Sequence, residues 1–186
     1  RLGFTAVPLD DLSIRVREDP RRGAPATMVR AGDERDLDAI VAMDAIRSER
    51  CRFHLARDRD LVHFAIAKRR ILAGLSTPGA RALQFFVAEE GASAVAYVVA
   101  YVNANTWTID SCGDRDPSGA RLGAILQVLV AREPAEHRAA ITAWLPSSLR
   151  PQQLEIVGQA PSRDLMMVKM LSPAGESIAS VKPSEV

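Results

Sequence analysis

Residues 94–102 read Ala-Val-Ala-Tyr-Val-Val-Ala-Tyr-Val, an apolar run without a single charge. A strand with one wet face would alternate, so this pattern suits a central strand buried on both faces, within a sheet that has helices packed on it. The neighbouring segments agree. Residues 83–89 form a second strand, joined by a turn at 90–92, and a turn at 103–105 leads into a third strand at 106–112. A polar loop over 113–119 then precedes the clearest helix of the chain. Its residues Leu122, Ile125, Leu126, Leu129 and Val130 fall at i, i+3, i+4, i+7 and i+8, a stripe that must pack on something.

Upstream, Leu12, Ile14 and Val16 alternate with Ser13, Arg15 and Arg17, so residues 5–17 hold strand that should pair with a sheet. Residues 18–26 contain two prolines, a glycine and two arginines and read as a linker. A short strand at 27–30 follows. Asp33 suits a helix N-cap, with Asp36 three residues on, and the helix carries Leu37, Ile40 and Val41 on one face. A second helix fits 60–75, where Leu61, Phe64, Ala65, Ile71, Leu72 and Leu75 keep the helical period until Thr77, Pro78 and Gly79 stop it. After the 120–132 helix the pattern gives a strand at 139–145, a short helix at 151–157, a last strand at 165–171 and a polar tail from 172.

With 186 residues the chain is long enough for one well-buried domain plus extensions. Its net charge of +1 gives no basic excess to neutralise phosphates, so no nucleic-acid partner is expected. No apolar run approaches a membrane span and no charged-then-apolar leader is present, which leaves a cytoplasmic location as the expectation. Two cysteines, Cys51 and Cys112, make no disulfide framework. The chain begins at Arg1 without an initiator methionine and reads as a fragment of something longer.

The order strand, helix, helix, three antiparallel strands, loop, helix, strand, helix, strand is similar to that of the GNAT acetyltransferase superfamily. Met28-Val29-Arg30-Ala31-Gly32-Asp33-Glu34-Arg35-Asp36-Leu37 resembles the family's opening strand and first helix. Phe86-Val87-Ala88-Glu89-Glu90-Gly91, followed by Ala94-Val95-Ala96-Tyr97, resembles its second and third strands. The resemblance implies an α/β fold: a mixed, mostly antiparallel central sheet flanked by helices, with diverging fourth and fifth strands. Arg1-Leu2-Gly3-Phe4 resembles the phrase with which many members enter their last strand, yet it precedes the first strand here. On that reading residues 1–26 are the closing strand of a preceding GNAT module plus linker, 27–172 a second module, and 173–186 a flexible tail.

The family's chemistry, as the resemblance implies it, transfers an acetyl group from acetyl-CoA to an amine of a small molecule or peptide. The cofactor's pyrophosphate sits on backbone N–H groups at the start of the helix after the fourth strand, where unpaired donors and the helix dipole favour an anion. The usual phrase there is Arg or Gln, two residues, Gly, one residue, then Gly or Ala. Ser118-Gly119-Ala120-Arg121-Leu122-Gly123 stands in that place: Gly119, Leu122 and Gly123 fit, Ser118 replaces the leading Arg or Gln, and Arg121 replaces the central glycine. That arginine would either lie across the phosphate site or reach round to hold it. Ser111, on the fourth strand, joins these as a cofactor-contact candidate. The amine must also lose a proton and the thiolate gain one. Asp110 is the only acid within the 106–112 strand and the candidate base. After the fifth strand the sequence is Trp144-Leu145-Pro146-Ser147-Ser148-Leu149, without the tyrosine that family members use as acid; both tyrosines, Tyr97 and Tyr101, lie on the third strand.

Plainer readings stand beside these. The 118–123 phrase is also a helix cap, with Asp116 or Ser118 capping and Pro117 near the first helical position. Asp110 also reads as a polar residue on the wet side of a strand, and Cys112 as a small buried hydrophobe rather than a nucleophile. Cys51, His54 and His63, near Asp58 and Asp60, match no common zinc spacing, and no metal is expected. Trp144 reads as a wall of the cofactor cleft or as packing. Two functions of different class follow: an acyltransferase whose upstream module carries the better site, or a non-catalytic scaffold that covers or shapes that module. A homo-oligomer fits either.

Overall fold

The computed structural model describes residues 4–17, 28–49, 55–77, 80–103, 106–134, 140–143, 145, 149–162 and 166–168. In chain order the elements are strands β1 (Thr5–Val7), β2 (Asp10–Val16) and β3 (Met28–Ala31), then a 3-10 turn (Glu34–Asp36) and helices α1 (Leu37–Ser48) and α2 (Arg59–Gly74). Strands β4 (Ala82–Glu90), β5 (Ser93–Asn103) and β6 (Thr106–Asp114) precede helix α3 (Ala120–Arg132). Strands β7 (Ala140–Ala143), β8 (Leu154–Pro161) and β9 (Met166–Val168) follow it. Seven strands make one sheet in the order β3-β4-β5-β6-β7-β2-β8, antiparallel throughout except for the parallel pair β6–β7. Strands β1 and β9 pair apart from it as a two-stranded sheet.

The apolar run is the central strand that its composition requires. Residues 94–100 are at most 3% exposed. Val98 and Ala96 face α3, where Leu122, Ile125, Leu126 and Leu129 meet Trp107, Ile109 and Ile141. Tyr97 and Val99 face α1 and α2, where Leu37, Ile40, Met43, Val62 and Ile66 meet Phe85 and Val87. Full burial of a large apolar side chain contributes roughly 1.5–3 kcal/mol, so these two layers supply most of the favourable free energy.

The start of α1 is fixed by charge as well as packing. Asp33 accepts from the Arg35 N–H (2.9 Å), and Asp36 accepts from the Asp33 N–H (2.9 Å), a reciprocal capping box. Arg30 of β3 grips both oxygens of Asp36 at 2.7 and 2.8 Å and also meets Glu89 of β4. Burial alone would raise the Asp36 carboxyl, but these donors outweigh it and hold it below the usual carboxylate range.

Three expectations are corrected. Residues 151–157 are not a helix: β8 begins at Leu154, because β2 offers it a ladder that no local pattern announces. The described part of the last strand, β9, pairs with β1 outside the main sheet. The apolar period of the 60–75 helix marks mainly its outer side. Val62, Ile66 and Ala73 are buried, whereas Phe64, Ile71, Leu72 and Leu75 are exposed. The alternating segment Leu12, Ile14, Val16 is buried as its period requires, and β2 lies between β7 and β8.

Candidate functional site

Among the described residues, strands β6 and β7 pair over four positions, from Thr106 opposite Ala140 to Ile109 opposite Ala143. Beyond that ladder, β6 continues through residues 110–114 and the chain runs on to the start of α3. Gly119 turns the chain there with φ of +69°, and a Cβ at that position would also stand 2.8 Å from Pro151 Cγ. Glycine is therefore required twice over.

All six residues 118–123 gather at this helix start, but two of its first-turn donors are already engaged by one carboxylate. Asp114 Oδ2 accepts from the Arg121 N–H (2.9 Å) and the Leu122 N–H (2.8 Å), and Asp114 Oδ1 accepts from the Asp116 N–H (2.8 Å). Burial pushes the Asp114 carboxyl upward despite these three bonds. Asp114, not Asp116 or Ser118, thus supplies the cap, and α3 begins at Ala120 after Gly119 rather than near Pro117. Asp116 instead binds the Ser118 N–H (2.9 Å).

The Arg121 side chain is engaged by two carboxylates. Its Nε and Nη2 reach Glu90 at 2.6 and 3.1 Å, and Nη1 lies 3.5 Å from Asp116. The guanidinium holds the Glu90 carboxyl below its usual range. On the other side of α3, Gln153 donates to the Ala120 carbonyl (3.1 Å) and lies so close to Gly123 that a Cβ there would run into it. Leu145 and Leu149 are buried in the α3 core. A recess of about 60 Å³ lies between α1 and the 113–117 loop, lined by Met43, Arg47, Asp114, Pro117 and Leu149 among others. Pockets for drug-sized ligands run to roughly 300–1,000 Å³. A broader open groove of about 550 Å³, between Ile14, Arg17, Leu145, Arg150 and Leu154, is lined by no residue of α3.

Ser111 is not brought to this helix start. Its Oγ bonds the Tyr97 hydroxyl (3.1 Å) on the α1–α2 side of the sheet. That hydroxyl also donates to Asp44 Oδ1 (3.1 Å), and burial raises the Tyr97 phenol above the ordinary tyrosine range. Asp110, the candidate base, has Oδ2 at 2.5 Å from Arg69 Nε on α2. The recess that these residues line with Arg57 has a volume of only about 10 Å³. Tyr101 lies beneath the Arg81 guanidinium, 4.2 Å from ring centre to Cζ. Cys112 is free and buried, with its thiol pushed up to about 12 by that burial, which suits packing rather than nucleophilic attack.

His63 faces Glu34 at 3.6 Å, and among the described residues no cluster of His, Cys, Asp and Glu could hold a metal ion. No described helix is long and apolar enough to cross a membrane. Cys51, His54, Trp144, Ser147 and Ser148 lie outside the described residues, as do Arg1, Leu2 and Gly3.

Sequence reasoning did not single out Asp114, Glu90, Arg69 or Gln153. For Asp114 a signal existed, since Asp114, Asp116 and Ser118 alternate immediately before a helix that lacks a side-chain cap at its own N-cap glycine.

A solved GCN5-related N-acetyltransferase from Anabaena variabilis superposes on 89% of this chain with a TM-score of 0.53 at 9% identity. The fold is the GNAT fold. A GCN5-related N-acetyltransferase from Kribbella flavida also matches 89% of the chain (TM-score 0.51, 12% identity). So does a protein from Enterococcus faecalis described as a probable N-acyltransferase (TM-score 0.52, 11% identity). The chain spans 41%, 37% and 41% of those three structures respectively, well under half of each. No family model matches it, and no curated protein matches it.

Proposed function

We propose that this chain is a GNAT-fold module of an acyltransferase in which its own acetyl-CoA site has been given over to internal contacts, so that it serves as a scaffold for chemistry carried elsewhere in the parent protein. The observation that carries this reading is the Asp114 carboxylate on the Arg121 and Leu122 N–H groups. A carboxylate there satisfies the same donors and the same helix dipole that a cofactor phosphate would use, and a second anion would meet its repulsion.

The catalytic groups support the same reading. In acetyl transfer the amine nitrogen bonds to the thioester carbon and the carbon–sulfur bond breaks. A proton leaves the nitrogen, and one reaches the departing thiolate. Asp110 is held by Arg69, and the Tyr97 hydroxyl is committed to Asp44 and Ser111. Neither group is free to move a proton at the start of α3.

The test is calorimetry with acetyl-CoA on the unmodified chain and on Asp114→Ala with Arg121→Gly, beside a thiol-release assay with mixed amines. The unmodified chain should bind more weakly than about 1 mM and release no thiol. The double variant should bind more tightly, still without turnover. Micromolar binding with thiol release by the unmodified chain would overturn the proposal.

A further inference from the structure

Helix α2 is apolar on two sides. Its inner side, Val62, Ile66 and Ala73, packs on α1 and the sheet. Around its outer side the chain exposes Phe64 (61%), Ile71 (64%), Leu72 (47%) and Leu75 (77%), and Leu55 just before the helix is 73% exposed. A helix apolar all round is normally covered all round, and contiguous exposed apolar surface marks an interaction site. This helix is also held still. Asp58 caps it by accepting from the Leu61 N–H (2.8 Å), Arg59 binds Asp38 (2.8 Å) and the Glu34 carbonyl (3.1 Å), and His63 faces Glu34.

Leu61, Phe64, Lys68, Ile71 and Leu75 follow one another at intervals of three, four, three and four residues, the seam spacing of a helix that packs lengthwise on another helix. Two charges flank the centre of this seam. Asp60 and Lys68 each lie four residues from Phe64, on opposite sides, and neither is paired with another described residue. Eight residues of helix separate them by about 12 Å.

We propose that a second copy of this chain covers the face, with the two α2 helices antiparallel about a two-fold axis at Phe64. That axis places each Asp60 opposite the Lys68 of the other copy, and Phe64 against Phe64. It also brings Ile71, Leu72 and Leu75 of one copy over the segment of the other that contains Leu55. A parallel pairing would set Asp60 against Asp60 and Lys68 against Lys68, so charge selects the antiparallel arrangement. The inference stands independently of the reading of the cofactor site.

Sedimentation equilibrium of the full chain should show a mass of about twice 20.2 kDa at about 100 μM. Lys68→Glu should weaken the dimer about tenfold, because two attractive cross-pairs become repulsive. Lys68→Glu combined with Asp60→Lys should restore it, since the exchanged charges face each other again. Phe64→Asp should give monomer. Far-ultraviolet circular dichroism and melting curves establish that each surface variant is folded. A chain that sediments as monomer at that concentration would overturn the proposal. So would a dimer indifferent to Phe64→Asp, or a charge exchange that fails to restore what Lys68→Glu removes.

Discussion

Replacing Asp114 by alanine tests the internal anion directly. The substitution strips three backbone N–H groups, those of Asp116, Arg121 and Leu122, of their acceptor. Loss of a helix cap costs about 0.5–2 kcal/mol, and a donor left dry adds to that, although part of the Asp114 contribution is offset by its own burial. A net loss of about 2–3 kcal/mol is expected, or about 4–12 °C in Tm for a chain of this size. Thermal and urea denaturation followed by circular dichroism at neutral pH would measure it. Pyrophosphate then becomes a diagnostic reagent, because the vacated N–H groups should accept it. At about a hundred times its Kd an anion that binds only the folded variant returns about 2.7 kcal/mol, comparable to the loss. Sodium chloride at matched ionic strength should not. The sign with pH is also set: a carboxyl raised in the folded state contributes most at low pH, so the gap between unmodified chain and variant should widen on acidification. A loss below about 0.5 kcal/mol, or equal rescue of the unmodified chain by pyrophosphate, would refute the argument.

Other perturbations are equally specific. Gly119→Ala should cost about 1–3 kcal/mol in urea titrations, since it combines a left-handed residue with a contact against Pro151. Arg30→Ala should cost about 3–4 kcal/mol, because it leaves the 3%-exposed Asp36 carboxylate without its main partner. Here the pH dependence has the opposite sign. The Asp36 carboxyl is depressed, so its contribution is complete above the usual carboxylate range and lost as pH falls through its lowered value, and the gap should narrow on acidification. Cys112 should react with a thiol reagent at pH 8 only as fast as the chain unfolds, a rate that mild denaturant would raise.

The parts of the fold legible in the sequence were those stabilised by near neighbours. The α3 stripe, the Asp33 cap and the β4–β5–β6 meander each depend on residues close in the chain, and their patterns are therefore local. Strand β8 is not legible because its partner lies at the other end of the sequence, and the alternation Leu154-Glu155-Ile156 lasts only three residues before Val157 breaks it. The α2 period was read correctly as helix, but period alone cannot say which of two apolar stripes faces inward. At the candidate site the glycines and the misfit of Arg121 were visible. That Asp114 would turn onto the helix start, or that Arg121 would turn away to Glu90, depends on how loop and β4 approach one another in space.

The position of β2 has a kinetic consequence. Both of its ladders, to β7 and to β8, join residues on the order of 130–150 apart in sequence, whereas the meander β4–β5–β6 closes over a few residues at each turn. Loop closure of that length is slow to recover in contacts, so the half of the sheet from β3 to β6, with its helices, has every reason to assemble first. Until then β7 and β8 have no strand between them, and the buried faces of Leu12, Ile14 and Val16 remain in water. In refolding experiments a fast phase should therefore report Trp107 on β6, followed by a slower one in which amide protons of β2, β7 and β8 gain protection together. Though it precedes β7 and β8 in the chain, β2 is among the last strands to find its seat.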